Sequence, residues 1–241
     1  MPKLLLYNIM YGVGKSGKFH EYLNLAKTIK PPIIILKKIS EFFKKIKPDI
    51  LALIEIDHGS PRTFSQSQVT IFKKALQLSF DSSEVKYQKK SFSRLLHKIP
   101  LVNQQGNAVI SRYNLSSEPF HLKNGLKSLV LVTKVNYTKP FILIVVHLAI
   151  VKPTRDAQVK ELNQFVKNIK GPLILVGDFN DEKITFPTLN KISTPPTFPA
   201  YKPKKKLDLI FTSNHFNINK VSIDPILLSD HLPLIIDFEV N

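Results

Sequence analysis

Cysteine and tryptophan are both absent from the 241-residue sequence, and arginine supplies only four of its 35 basic residues, Arg62, Arg94, Arg112 and Arg155. Without cysteine there is no disulfide, no thiolate metal site and no thiol nucleophile. A long apolar run is missing as well. The longest, Phe141 to Val151, is 11 residues and is interrupted by His147, against the roughly 20 that a bilayer-spanning helix needs. Met1 to Asn8 hold too short an apolar run, and no small-residue cleavage site, for a signal peptide, so a cytoplasmic protein is the expectation. Acidic residues are scarce, 18 against 35 basic ones, which leaves a formal charge of +17.

That charge has two readings. Lysine and arginine facing phosphates release counterions and give affinity for a nucleic acid without sequence choice. Yet 31 of the basic residues are lysines, whereas fixed recognition of phosphate favours the bidentate guanidinium, and a solvated lysine-rich surface accounts for the composition equally well. At 43% hydrophobic and 22% charged, the chain can bury a core rather than stay disordered. One domain over residues 1–241, without internal repeats, and a monomer are the expectations.

Several segments share one design, an apolar run ending in a polar residue. Leu4 to Tyr7 leads to Asn8, Ile50 to Ile54 to Glu55, Phe141 to Val146 to His147, and Leu173 to Val176 through Gly177 to Asp178. Runs this short and continuous predict strands buried on both faces, with their polar ends along a sheet edge. Leu36, Ile39, Phe43 and Ile46 recur at helical spacing, as do Val159, Leu162, Phe165, Val166 and Ile169 before Gly171-Pro172 stops the helix. Leu234, Ile236, Phe238 and Val240 alternate with Asp237 and Glu239, the pattern of a strand with one wet face. The interleaving predicts a mixed α/β sandwich. Five prolines between Thr185 and Pro203 mark a long ordered loop.

Gly12-Val13-Gly14-Lys15-Ser16 lacks the first glycine of a phosphate-binding loop, since Ile9 stands in its place, and reads as a glycine-rich turn. Gly177-Asp178-Phe179-Asn180-Asp181 sets a carboxylate and an amide two positions apart at a strand end. The Asp can take a proton from water and the Asn can hold a phosphate oxygen or a metal; alternatively, both bond to backbone in a turn. In Ser229-Asp230-His231-Leu232-Pro233 the adjacent Asp and His point to different sides of an extended chain, suiting a metal ligand and an acid or base, or a hydrogen-bonded loop. Asp208, set among Leu207, Leu209 and Ile210, needs a partner for its charge, and a histidine N–H is the natural one. A metal in this chain must use oxygen or histidine ligands, and Glu55 near a phosphate suits magnesium. His20, His58, His97, His121 and His215 fall in no motif.

In order along the chain, these segments resemble the endonuclease/exonuclease/phosphatase superfamily, the deoxyribonuclease I-like fold. The matching pieces are Asn8 after the first strand, Pro48 to Asp57 with Glu55, Gly106 to Arg112, Val145 to Leu148 with His147, Gly177 to Asn180, Leu207 to Phe211 with Asp208, and Ser229 to Pro233; Thr197-Phe198-Pro199 adds a further likeness. The resemblance implies a four-layered αββα sandwich of two mixed sheets with helices outside, and divalent-cation-dependent hydrolysis of phosphoesters with magnesium or manganese. Position by position, it implies Glu55 as principal metal ligand with Asn8 and Asp230 beside it. It makes Asp178 the group that orients or deprotonates water and Asn180 the holder of a phosphate oxygen, with His231, oriented by Asp208, and His147 on the scissile phosphate. Arg112 falls where relatives place a phosphate-contacting arginine. Arg62 and Lys204, Lys205 and Lys206 are further substrate contacts, or solvated surface. The implied substrate is DNA or RNA; the alternatives are a phospholipid, inositol phosphate or other small phosphoester, or a binding module that has lost activity.

Overall fold

The computed structural model describes residues 1–23, 33–87 and 99–241; Arg94, His97 and part of the stretch from Ser60 to Ser91 lie outside them. Two sheets stack face to face. The first, ordered β12-β13-β1-β2-β4-β3, contains β1 (Lys3–Asn8), β2 (Ile50–Asp57), β3 (Phe80–Val85), β4 (Gln105–Ser111), β12 (Phe216–Ile223) and β13 (Leu234–Val240). The second, ordered β10-β11-β9-β8-β7-β5 with β6 on β7, contains β5 (Leu115–Ser117), β6 (Phe120–His121), β7 (Leu129–Val135), β8 (Phe141–His147), β9 (Leu173–Asp178), β10 (Asn190–Lys191) and β11 (Asp208–Thr212). Each sheet has one parallel pair at its centre, β1 with β2 and β8 with β9, flanked by antiparallel neighbours.

The continuous apolar runs are buried on both faces, as their composition requires. Leu4 and Leu6, Ala52 and Ile54, Leu143 and Val145, and Ile174 and Val176 meet in the core between the sheets. Their alternating neighbours Leu5, Tyr7, Leu51 and Leu53 pack outward under α2 (Ile33–Ile46) and α3 (Gln68–Leu76), and Ile144, Val146 and Leu175 pack under α4 (Lys152–Lys167). This is the αββα sandwich. A short α1 (Phe19–Leu23) follows β1.

Local chemistry explains the helices. In α2, Leu36, Ile39 and Phe43 face the sheet, and the helix stops where Lys47 turns left-handed (φ 52) ahead of Pro48. Ser67 caps α3 by accepting the Val69 N–H at 3.2 Å. Phe43 and Phe72 then lock α2 to α3 edge-to-face, with ring centroids 5.2 Å apart. Among the described residues, no helix is long and apolar enough to cross a membrane.

Candidate active site

The inward register of the strands builds the site. Asn8 continues the phase of Leu4 and Leu6, His147 that of Leu143 and Val145, Asp178 that of Ile174 and Val176, and Asp208 that of Ile210. Where the apolar runs end, the same inner face carries polar groups, so strands from both sheets deliver them to one end of the shared core. Gly177 lets β8 and β9 approach there: a Cβ on it would stand 2.2 Å from the Val146 carbonyl oxygen. The pairing then sets His147 beside Asp178.

Glu55 reaches the site by a different route. In strict alternation it would point outward under the helices. Instead the β2–β4 register shifts between Ile54 and Ile56, and Glu55 takes φ 56. Ile54 lies in the inter-sheet core and Ile56 in the outer one, so the phase slips by one residue at Glu55 and its carboxylate turns toward the inner face. A bulge with a non-glycine residue at positive φ is a strained device. Its backbone N–H donates to Asn107 Oδ1 across the strand pair at 3.4 Å.

Asp178 stands at the centre. Asn8 Nδ2 donates to its Oδ2 at 3.1 Å, the Asn180 backbone N–H donates to its Oδ1 at 3.1 Å, and His147 Nε2 and His231 Nε2 lie 3.5 and 3.7 Å from Oδ2. His231 Nδ1 is 2.7 Å from Asp208 Oδ2, which also accepts from the Thr197 hydroxyl, and the Phe198 ring lies 5.0 Å from the imidazole. The proline-rich loop thus braces the Asp208–His231 pair through Thr197 and Phe198. Asp230 accepts the Tyr22 hydroxyl at 2.7 Å, and Ser229 Oγ donates to the Asn8 carbonyl at 2.7 Å. Asn180 donates one amide hydrogen to the Leu148 carbonyl at 2.9 Å, which leaves its second free for a ligand.

Four groups with no motif of their own complete the site. The ammonium groups of Lys86 and Lys127 each lie 3.6 Å from Glu55 Oε1, and both also approach the His147 ring. A neutral imidazole has one acceptor nitrogen, so one lysine donates to it while the other ring nitrogen turns its N–H to Glu55 or Asp178. Lys86 Nζ also lies 3.4 Å from the Tyr11 hydroxyl and 5.4 Å from the centre of that ring. Tyr22, on α1, holds Asp230. Lone lysines and tyrosines in a lysine-rich chain carry no spacing signal, which is why the sequence did not mark them.

The electrostatics follow from burial among these charges. Burial works to raise the Glu55 carboxyl, but Lys86 and Lys127 outweigh it and hold the group below its usual range. Burial, opposed by Glu55, brings Lys86 down to about 8. His147 is pushed well below its ordinary value by burial and by both lysines, and is neutral. Burial, aided by the Asp208 charge and opposed by His231, raises Asp178 to about 6. For His231, burial is overcome by Asp208 and Asp178, which raise it to about 10. At neutral pH the site therefore presents a carboxylate at Asp178 facing an imidazolium at His231.

Two expected substrate contacts are engaged by other partners. Arg112 follows β4, which runs antiparallel to β2, so it ends beside Asp49 at the start of β2, the opposite end from Glu55; it pairs with Asp49 at 3.3 Å. Arg62 is buried, bonds the equally buried Asp57 at 3.1 Å, and lies 5.0 Å over the Tyr11 ring. A cation held in this way braces the loop after β2 rather than greeting a phosphate. Lys204 and Lys205 are exposed and Lys206 half-buried on the segment that leads into Asp208, where Lys205 bridges to Phe198.

The donors around Glu55 suit a hard divalent cation. Glu55, Asn8 and Asp230 can each offer a side-chain oxygen, the donor type that such an ion takes. Among the described residues no group of three or more His, Cys, Asp or Glu side chains is placed to hold a metal ion.

No curated protein matches the chain. Solved structures do. An endonuclease/exonuclease/phosphatase from Beutenbergia cavernae is 15% identical with a TM-score of 0.73, over 100% of this chain and 72% of that one. The human Nocturnin catalytic domain with bound sulfate is 22% identical with a TM-score of 0.70, over 100% and 94%. A mannosyl-6-phosphatase from Bacteroides thetaiotaomicron is 13% identical with a TM-score of 0.68, over 99% and 100%. These likenesses carry the fold. The sequence model described as Endonuclease/Exonuclease/phosphatase family matches residues 36–231, and with most of its length so matched, the chain belongs to that family.

Proposed function

We propose that the protein is a divalent-cation-dependent phosphodiesterase that hydrolyses nucleic-acid strands by attack of water on phosphorus. The observation that carries the reading is the pairing of a carboxylate at Asp178 with an imidazolium at His231, 3.7 Å apart at one end of the inter-sheet core. Asp178 accepts the proton of the attacking water; its orientation is fixed by Asn8 and by the Asn180 N–H. His231, kept charged and aimed by Asp208, donates to a phosphate oxygen as negative charge builds there. Lys86 and Lys127 add positive charge from the Glu55 side, and Asn180 offers its free amide hydrogen. Glu55, with Asn8 and Asp230, would hold magnesium or manganese, whose contribution is to neutralise the phosphate oxygens.

The preference for a nucleic acid rests on the charge of +17 and on Lys204, Lys205 and Lys206 beside Asp208. A phosphomonoesterase is the second reading. Lys86 and Lys127 converge on one spot, and two ammonium groups match the two charges of a terminal phosphate. Incubation with plasmid, single-stranded RNA, inositol phosphates and sphingomyelin vesicles, in magnesium and in EDTA, separates the two. Cleavage of either polymer in magnesium alone supports the proposal, and release of phosphate from small monoesters with both polymers intact replaces it with the second reading.

A further inference from the structure

The buried stripe of α4 runs through Arg155, Gln158, Leu162 and Val166 at helical spacing. Gln158 is wholly buried, in a position where an apolar side chain would pack without cost. A buried amide is unfavourable unless its hydrogen bonds are met, and here they are. Nε2 donates to the Asn124 carbonyl and to the Lys127 carbonyl, each at 2.7 Å, and Oε1 accepts the Ala149 N–H at 2.8 Å. Two carbonyls and one N–H fix which way the amide faces. They also exclude a charged replacement, since a glutamate offers at most one donor and a lysine or arginine no acceptor.

The two segments that Gln158 joins both serve the site. Ala149 follows His147 by two residues, and Lys127 carries the ammonium that lies 3.6 Å from Glu55 and against the His147 ring. The segment after His147 has other anchors: the Leu148 N–H donates to the Asp178 carbonyl at 2.9 Å, and Arg155 Nη1 donates to the Ala149 and Ile150 carbonyls at 3.2 and 2.6 Å. The loop before β7 is held less well. Residues 123–126 are exposed, so burial does little to fix them; besides Gln158, the Leu122 N–H closes the loop onto the Ser128 carbonyl at 2.8 Å and the Lys123 N–H reaches Glu161 Oε2 at 2.9 Å. Gly125, at φ 83, lets this backbone lie against α4, where a Cβ would stand 2.8 Å from Thr154 Cγ2 and 2.9 Å from Gln158 Nε2.

We infer that Gln158 is a positioning residue of the active site: from the helix layer outside the second sheet it fixes the backbone of Lys127, and so aims that ammonium at Glu55 and His147. The inference rests on the phosphoesterase reading, in which Lys127 meets the phosphate. Of the two segments, the loop that carries Lys127 depends on the amide more, because Arg155 and Asp178 still hold the other.

A double-mutant cycle on the full chain separates aiming from mere support. Gln158→Met keeps the length of the side chain and removes all three bonds; if it acts only through the Lys127 ammonium, it has no further effect once Lys127→Met has removed that ammonium. Rates are read in magnesium on whichever of a single-stranded oligonucleotide and p-nitrophenyl phosphate the wild type hydrolyses, affinity for inorganic phosphate is read in EDTA by isothermal titration calorimetry, and circular dichroism checks folding. Gln158→Met is expected to lower kcat by about 10–100-fold, and the double variant to be slower than Lys127→Met by no more than about twofold. Gly125→Ala, which lifts the loop from its surface side, is expected to behave in the same way, and it decides the matter if Gln158→Met does not fold. Losses that multiply in the double variants, or a kcat within about threefold of wild type in Gln158→Met, overturn the positioning role and leave the catalytic reading standing. If neither substrate is hydrolysed, the catalytic reading fails and the phosphate titrations decide: binding weakened by Gln158→Met, and no weaker in the double variant than in Lys127→Met, supports the aiming of Lys127, whereas unchanged or absent binding overturns it.

Discussion

His231 Nδ1 lies 2.7 Å from Asp208 Oδ2, and the other face of the same imidazole looks toward Asp178. One carboxylate charges the ring and aims it; in the proposed reaction the second acts on water. The pair is assembled from a strand of the second sheet and the loop before β13 of the first, so its geometry depends on the two sheets staying in register.

The charge state of His231 is directly measurable. In metal-free protein, NMR titration is expected to place His231 near pH 10, and Asp208→Asn is expected to bring it back to or below its ordinary range, because burial then prevails. Since the folded value lies above the unfolded one, the stability His231 contributes is fully present below about pH 6.5 and is lost as pH rises through about 10. A His231 resonance titrating near 6.5 in the wild type contradicts the pairing.

Lys86 is predicted to act on the reaction rather than on the fold. Its side chain is 1% exposed yet sits against Glu55 and Tyr11, and Lys86→Met keeps the apolar stem while removing the charge. Turnover should drop by about 10²–10³, with little change in melting temperature because Lys127 still faces Glu55. A loss of less than about threefold would show that the ammonium does not meet the phosphate.

Arg62 and Arg112 are predicted to differ in kind. Arg62→Ala strands Asp57 in the interior and should cost about 3–5 kcal/mol in urea denaturation. Arg112→Ala, with a side chain 64% exposed, should cost less than about 1 kcal/mol and leave hydrolysis unchanged. A stable Arg62→Ala protein would mean that the buried pair is not structural.

Gly177→Ala tests the close approach of β8 and β9. Its Cβ would collide with the Val146 carbonyl, and the strands must part where His147 meets Asp178. Both stability and turnover are expected to fall, by about 1–3 kcal/mol for the overpacking, and a variant with wild-type turnover would show that the spacing is not critical.

Most of the scaffold was legible because it is written in local chemistry. Continuous runs such as Leu173 to Val176 suit only a strand buried on both faces, and a polar residue ending such a run must lie at a sheet end. That logic places Asn8, His147 and Asp178 at strand ends from the sequence alone. Glu55 could be placed at its strand end but not on its face, since the bulge that turns it inward depends on pairing with β4. Arg112 was misplaced for a related reason: chain direction within a sheet is not visible in a motif. Lys86 and Lys127 were illegible because nothing local distinguishes two lysines among 31; only the stacking of the two sheets brings them to Glu55.

The most direct test is hydrolysis of an end-labelled single-stranded oligonucleotide in magnesium by the wild type and Asp178→Ala side by side, with circular dichroism of both. The account predicts cleavage by the wild type that EDTA abolishes, and a loss of at least about 10³-fold in the variant with an unchanged spectrum. Cleavage by a folded Asp178→Ala protein at near wild-type rate would contradict it.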